Sequence, residues 1–584
     1  LSPAPHRSRA RTLLAAAALV AAVAAAYAPV VECGFVWDDD RHVTANETLR
    51  SAAGLARIWL SLGATPQYYP MVHTSFWLEY RLWGLEPAGY HVVNVALHAL
   101  CALLVWRVLL RYPLPPAAAF VAAGVFALHP VHVESVAWIS ERKNVLSAAF
   151  TLGSLLAYLH FLGSERAGPR PRRRLYALSC ALYLGALASK TVACTLAPAL
   201  LLLVWGRRRR ILPRDVLPLL PFFAAGIAAG LLTVWMERHR VGAVGADWEL
   251  SLAERLLVAG RALWFYAAKL VWPVDLSFIY PRWQIDAAVG WQWLYPASAA
   301  ALLFALFTAR DRIGTGPFVA IAFFAGTLVP ALGFFDVYPM RFSFVADHFQ
   351  YLASLGPIAL GVALAERCAR GLGPRGPALF AGAAALVLVL LGSLSHRRVA
   401  IYRDAESLWT ATLERNPQAW IAYTNLGVIA EERGESERAI GLYRQAIRVE
   451  DRAEMAHSNL GSSLARAGRV EEGLAHLRRA VELEPRFTAA QLNLGNALAA
   501  QGRLDLAISH YRAATRADPR AAEAHRNLGI ALLALGDLEG AIGALRRAVE
   551  LRPGWRRAQR DLEGALRARD RGTPPAPGGP PGAQ

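Results

Sequence analysis

The triplet Asn-Leu-Gly recurs at Asn425, Asn459, Asn493 and Asn527, a step of 34 residues each time. Gly434, Gly468, Gly502 and Gly536 keep the same step, and so do Ala446, Ala480, Ala514 and Ala548. Pro417, Pro485, Pro519 and Pro553 share one slot of the period, which Asp451 fills in the second unit. A fixed period of this length leaves few architectures open, because each unit must bury its apolar face against the next one. Glycine turns the chain between two helices, proline starts the following unit, and small alanine lets the helices approach closely. Four full periods are expected over 417–552. A connecting helix is expected over 401–416 ("RDAESLWTATLERN") and a capping helix over 553–570 ("GWRRAQRDLEGALRA"). The Pro- and Gly-rich end, 571–584, is disordered by composition.

This 34-residue helix–turn–helix unit resembles the tetratricopeptide repeat, which implies an α-solenoid with a concave surface for polypeptide partners. The remainder, 1–400, is of another kind. Apolar runs of spanning length alternate with short basic loops, and 55% of the whole chain is hydrophobic. The formal net charge of +18 would suit nucleic acid, but many of the basic residues sit between apolar runs. That is the signature of cytoplasmic loops, so a nucleic-acid partner is not expected. The five cysteines form no CxxC pair, and neither a disulfide framework nor a zinc site is expected.

The fold class expected is therefore all-α: a polytopic helical membrane domain followed by the solenoid. Loop charge orients it with the N-terminus cytoplasmic. Spans are expected near 12–31, 89–110, 117–134, 145–163, two within 174–206, 214–235, 291–308, 316–335, 350–366 and 377–395. The segment bearing Arg255, Arg261 and Lys269 is expected to lie as an amphipathic or re-entrant helix on the outer face. Eleven spans place the repeats on the extracytoplasmic side of the plasma membrane; twelve would place them in the cytosol.

With eleven spans, the polar chemistry collects on the outer face. Arginine supplies nearly all the positive charge, and the only lysines, Lys143, Lys190 and Lys269, all fall there. Compact ammonium groups suit anionic ligands. "FVWDDDRH" sets Asp38, Asp39 and Asp40 directly after the first apolar run. It reads as a solvated turn, a helix cap, or carboxylates partly desolvated at the interface and so made better bases. His129, His132 and Glu134 have the spacing HxxHxE, which is not a zincin pattern, and Pro130 interrupts the helix such a pattern needs. Hydrogen bonding to a sugar or phosphate suits them better. Arg142 and Lys143 read equally well as flanking charges, and Asp347 as the partner of Arg341.

Together, "FVWDDD", "YYPMVHTSFWLEYRLWGLEPAGYHVVNVALHAL", "HPVHVESVAWISERKNVL" and the C-terminal repeats resemble the transmembrane-and-tetratricopeptide O-mannosyltransferases and their GT-C relatives. The resemblance implies a polyprenyl-phosphate sugar donor, usually mannose, and a Ser or Thr hydroxyl acceptor held by the repeats. It maps the acidic pair onto Asp38 and Asp39, and the following motif onto His129, Pro130, His132, Glu134 and Arg142. Asp38 is expected as base, with Asp39 orienting base or acceptor and with inversion at the sugar. Arg142, Lys143 and Arg341, then Lys190 and Lys269, are expected to steady the departing phosphate. Where relatives often carry an Asp-Arg pair, this chain reads Asp347-His348, so the phosphate role of that loop is open. No cofactor is required; a divalent metal on the acidic pair is the less favoured arrangement. The alternatives are a lipid-linked glycan ligase or polymerase, and a membrane-anchored scaffold without activity.

Overall fold

A computed structural model describes residues 5–163, 169–243, 245 and 247–571. Among these residues the secondary structure is helical throughout, with no strand. The chain divides into two compact units, Leu1–Asn416 and Pro417–Gln584. Most of the tail expected to be disordered lies outside the described residues.

Among the described residues of the first unit, five helical segments are long and apolar enough to cross a membrane: Pro87–Leu109, Ile139–Gly163, Thr191–Arg208, Pro213–Val241 and Gly373–Tyr402. A sixth candidate is a bent pair, Pro116–Leu128 with Pro130–Ala137, meeting at 51°. Ala10–Ala26 and Gly316–Ala331 are apolar but shorter. Helices also occupy the other expected runs, at Pro169–Leu187, Leu294–Thr308 and Leu355–Arg370. The expected span at 117–134 breaks at His129, which is extended (φ −75°, ψ 128°) before Pro130. A residue before proline is pushed out of the helical region, and proline itself has no N–H for the ladder. The helix expected from 350 begins only at Leu355, because Asp347–Gln350 forms a separate 3-10 turn.

Leu252–Val271 is a 20-residue helix opened by a reciprocal Ser251–Glu254 cap. It is not among the spanning candidates. Its basic residues are engaged locally. Arg255 donates to Gly333 O (2.7 Å) and pairs with Asp336 (2.7 Å), while Arg261 lies 4.5 Å from the Trp283 ring centre. These contacts tie the helix to the loops at 283 and 333–336. A topology reporter fused after Ala400 is expected to be active only outside the cytosol; cytosolic activity would require a twelve-span arrangement.

The helix Ala405–Arg415 belongs to the first unit, with Trp409 buried there. The second unit holds four helix pairs, starting at Trp420–Glu432 with Ser436–Val449 and ending at Ala522–Ala534 with Leu538–Leu551. Arg556–Arg571 caps them, packing Ala565 against Ile542 and Leu545. The four turn glycines have φ of +75° to +84°, a conformation that disfavours any side chain. Ala446, Ala480, Ala514 and Ala548 are fully buried between helices.

Candidate active site at the loop after the first apolar helix

The acidic stretch follows a residue in an unusual conformation. Trp37 has φ +46°, which costs an L-residue about 1–2 kcal/mol. Its indole makes the contacts that hold it there. It stacks on Trp138 (centroids 5.6 Å apart, 12° between planes) and meets Phe278 and Trp409 edge-on at 5.3 and 5.4 Å. The turn at Trp37 gives the three carboxylates different surroundings.

Asp39 is fully buried. Its Oδ2 accepts from Val36 N (2.9 Å) and its Oδ1 from Ser140 N (2.7 Å). It therefore pins the loop to the 139–144 segment and has no oxygen aimed at open space. Burial pushes its carboxyl up to about 7, with the two N–H groups pulling it back. Asp40 is exposed and accepts from Thr44 Oγ1 (2.9 Å). Asp38 is half-buried, and its carboxylate has no hydrogen-bond partner among the described residues. Burial raises its pKa, and the Lys143 ammonium opposes that rise. Of the expected pair, Asp38 is thus the carboxylate free to take a proton, while Asp39 positions the loop.

The cations facing Asp38 are organised by a carboxylate that sequence reasoning missed. Glu141 Oε1 pairs with Lys143 Nζ at 2.7 Å, and Oε2 with Lys190 Nζ at 3.4 Å. Asn144 closes the arrangement, accepting from Lys190 Nζ (2.7 Å) and donating to Glu141 Oε2 (2.5 Å). Its amide also donates to His348 O (3.0 Å), which ties in the late loop. His348 Nδ1 lies 2.7 Å from Glu134 Oε1, and its Nε2 3.9 Å from Glu141 Oε1. Asp38, Asp39, Glu134, Lys143, Lys190 and His348 are therefore brought to one locality. Lys143, which is buried, and Lys190, which is half-buried, share the buried Glu141 carboxylate, so two compact ammonium groups stand near Asp38 and Glu134. Among the described residues, no group of three or more His, Cys, Asp or Glu side chains is placed to hold a metal ion.

Several expected phosphate or sugar ligands are placed otherwise. Arg142 is fully buried, and all five guanidinium N–H groups are engaged: Asn94, Ser75, Tyr90 O and both oxygens of Glu79. With no donor left, it is a framework pin and not a phosphate ligand. His132 is likewise buried, with Nδ1 at 2.7 Å from Phe126 O and Nε2 at 3.0 Å from Ser354 Oγ. His129 donates from Nε2 to Leu270 O (3.0 Å) and accepts at Nδ1 from Val131 N (3.4 Å). Both histidines hold the break at Pro130 in shape. Lys269 donates to Val274 O and Asp275 O at the end of its own helix, and Arg341 pairs with Asp247 (3.2 Å). Neither pairs with Glu141.

Asp347 does not pair with Arg341 as expected. It is fully buried, accepts from Tyr280 OH (2.8 Å) and pairs with Arg398 (3.3 Å), which also donates to Leu276 O (2.8 Å). The arginine absent next to Asp347 in sequence is supplied in space by the last apolar helix. Arg398 carried no local signal, because basic residues ending an apolar run read as flanking charge. Burial pushes Asp347 up to about 7, with Arg398 opposing.

A pH dependence follows from Asp39 and Asp347, both raised from 3.8 to about 7. A carboxyl with a raised folded pKa holds its proton in the folded state and has lost it in the unfolded one. Its stabilisation is complete below pH ~4 and is lost as pH climbs through ~7. Over pH 5 to 7 each of the two carboxyls lowers the slope of stability against pH by about 1.4 kcal/mol per unit, opposing buried histidines such as His42 and His73, whose pKa burial lowers. Asp347→Asn is therefore expected to gain stability relative to the native chain as pH rises from 5 to 7; a difference between the two midpoints that stays constant over the interval would contradict the assignment.

Known proteins resemble both parts of the chain. The tetratricopeptide repeat family model matches residues 393–454, 458–521 and 501–554. Protein O-mannosyl-transferase Tmtc3 of Drosophila melanogaster is 25% identical over 519 residues, which cover 75% of this chain and 55% of that protein. Protein O-mannosyl-transferase TMTC3 of Mus musculus is 31% identical over 158 residues, covering 26% and 17%. TMTC4 of Homo sapiens is 34% identical over 178 residues, covering 26% and 24%. The chain thus spans about half, or less, of the length of these curated relatives. A crystal structure of MamA protein shares 21% identity and covers 26% of this chain and 82% of its own, with a TM-score of 0.24.

Proposed function

We propose that this chain, a relative of the transmembrane-and-tetratricopeptide protein O-mannosyl-transferases, is a membrane glycosyltransferase that moves a sugar from a polyprenyl phosphate to Ser or Thr hydroxyls of exported proteins. One observation carries the reading. Asp38 is a half-buried carboxylate without a hydrogen-bond partner among the described residues, its pKa is raised, and it faces the ammonium group of Lys143.

A sugar phosphate already carries its leaving group, so the step needs a base and a cation more than a general acid. The acceptor hydroxyl oxygen attacks the anomeric carbon while its proton passes to Asp38, and the bond from carbon to the phosphate oxygen breaks. Attack opposite the leaving group inverts the centre. Lys143 and Lys190, held apart by Glu141, meet the charge that develops on the polyprenyl phosphate. No cofactor takes part. An apolar cavity of about 550 Å³ between membrane-unit helices, lined by Leu263, Ala267, Leu270, Phe324, Val362 and Val387 among others, offers space for an isoprenoid chain. The N-terminus is cytoplasmic, and the repeats stand on the extracytoplasmic side, where they hold the acceptor polypeptide.

Glycoproteomics of envelope proteins from cells with and without this chain tests the reading. Hexose on Ser or Thr that disappears with the chain supports it. Loss of a lipid-linked or polymeric glycan, with protein glycosylation unchanged, would make the chain a glycan ligase or polymerase instead. No glycan change at all would leave a scaffold.

A further inference from the structure

Trp409 belongs to the helix Ala405–Arg415, at the far end of the first unit in sequence from the acidic loop. Its ring is nevertheless buried against that loop, meeting Trp37 edge-on at 5.4 Å and Phe278 at 5.6 Å. The helix is tied down at both ends. Before its start, Gly34 N donates to Arg403 O (2.8 Å), and Asp404 Oδ1 accepts from Ser407 N (2.7 Å). At its end, Arg415 pairs with Asp275 (2.6 Å), and Asn416 Nδ2 donates to Ile279 O (3.2 Å). The last two contacts bracket Phe278, so the helix delivers Trp409 to a fixed place.

What Trp409 packs on is the residue that aims Asp38. Trp37 holds φ +46°, a conformation natural to glycine and not to tryptophan. Asp39 fastens the loop on both sides through Val36 N and Ser140 N, but neither bond fixes the Trp37 ring. Four other rings do so: Trp138 stacked at 5.6 Å, and Phe278, Phe342 and Trp409 edge-on at 5.3, 6.2 and 5.4 Å. Trp138 carries the arrangement on to the cations, because Lys143 Nζ lies 5.5 Å from its ring centre. One aromatic cluster therefore stands behind both the carboxylate and the ammonium group of the candidate site. Without Trp409 a hole opens beside Trp37, and the indole can fall into it. Trp37 then relaxes to negative φ, and the peptide that carries Asp38 turns with it.

We infer that Trp409 is a positioning residue of the transferase: it holds Trp37 in its left-handed conformation and so keeps the Asp38 carboxylate set against Lys143. The inference rests on the reading of Asp38 as the base, and it adds a part of the site that comes from outside the loops. Trp409 acts on turnover and not on binding, since a reacting group displaced by about 1 Å loses on the order of a hundredfold in rate. The helix that leads into the repeats is in this way a working part of the site as well as a connection.

The test reads turnover and loop geometry on the full chain in detergent. Trp409→Ala is expected to lower kcat about 10- to 100-fold, while KM for polyprenyl-phosphate mannose and for a Ser/Thr peptide stays within about twofold. Trp409→Phe keeps a ring edge against Trp37 and is expected to recover most of the loss. Trp37→Gly is expected to lower kcat as well, and adding Trp409→Ala to it should cost little more, because both act through one conformation. Loop geometry is read with no donor present. Asp38 is labelled with a water-soluble carbodiimide and an amine, and scored by mass spectrometry against the exposed Asp40. Labelling of Asp38 is expected to rise toward that of Asp40 in Trp409→Ala and to stay native in Trp409→Phe. A folded Trp409→Ala with native kcat overturns the inference, and so do unchanged labelling and full additivity in the double variant. Should Trp409→Ala unfold, Trp409→Leu, which fills the space without a ring edge, decides by the same readouts. Raised labelling in a chain that transfers nothing leaves the positioning role standing and sinks only the proposed activity.

Discussion

Asp38→Asn is expected to reduce turnover about 10²- to 10⁴-fold, the range a positioned general base supplies, while the unfolding midpoint stays where it was. The midpoint holds because the Asp38 carboxylate has no hydrogen bond to lose among the described residues, and asparagine matches its shape. Asp39→Asn separates the two carboxylates. Above pH ~7, where the native carboxylate is ionised, its oxygens accept from two backbone N–H groups, and an amide NH₂ must turn toward one of them. That leaves a buried donor unpaired, at a cost of about 1–3 kcal/mol. Lost activity in Asp39→Asn should therefore track lost folded protein, whereas in Asp38→Asn it should not. Turnover in the native chain is expected to rise with pH through the raised pKa of Asp38, because the base works only when ionised. Transfer measured in isolated membranes decides the matter; unchanged activity in Asp38→Asn would end the mechanism.

The second large effect lies at Arg142. Arg142→Ala is expected to destabilise the membrane unit by about 3–5 kcal/mol, because Glu79 is left as an unpaired charge in a buried site. Arg142 and Glu79 pair directly, and Arg142 also donates to Asn94, Ser75 and Tyr90 O. Arg142→Lys restores a charge for Glu79 but not the planar fork, so it should recover only part of the loss. The readout is thermal unfolding together with donor affinity in the fraction that remains folded. A pin changes the first and spares the second. A phosphate ligand would do the reverse, and unaltered stability with weakened donor affinity would return Arg142 to the site.

How far each feature could be read in advance depended on how local its cause was. The turn glycines at 434, 468, 502 and 536 announce a left-handed turn wherever they sit, and the buried alanines of the same frame announce close packing. Both were found as expected. The break at His129 was visible as Pro130, yet the 51° bend turned an expected straight span into a pair. Lys143 and Lys190 stood out because lysine is rare in this chain. Glu141 did not: between apolar residues and two basic ones it looked like an ordinary flanking charge. Only its burial between Lys143 and Lys190 shows that it organises the cluster.

Composition, period and loop charge by themselves determined an all-helical chain with a membrane-type first part, a four-unit solenoid and a distinctive acidic loop. These properties come from side-chain periodicity and turn chemistry, which act over a few residues. Tertiary structure alone decided which charged groups are free. Asp38 is open and Asp39 pinned, though they are neighbours in sequence. Arg142 is saturated, and Asp347 finds Arg398 at a separation of 51 residues. The physical reason is that burying a charge requires a partner, and the partner comes from whichever helix the fold brings near.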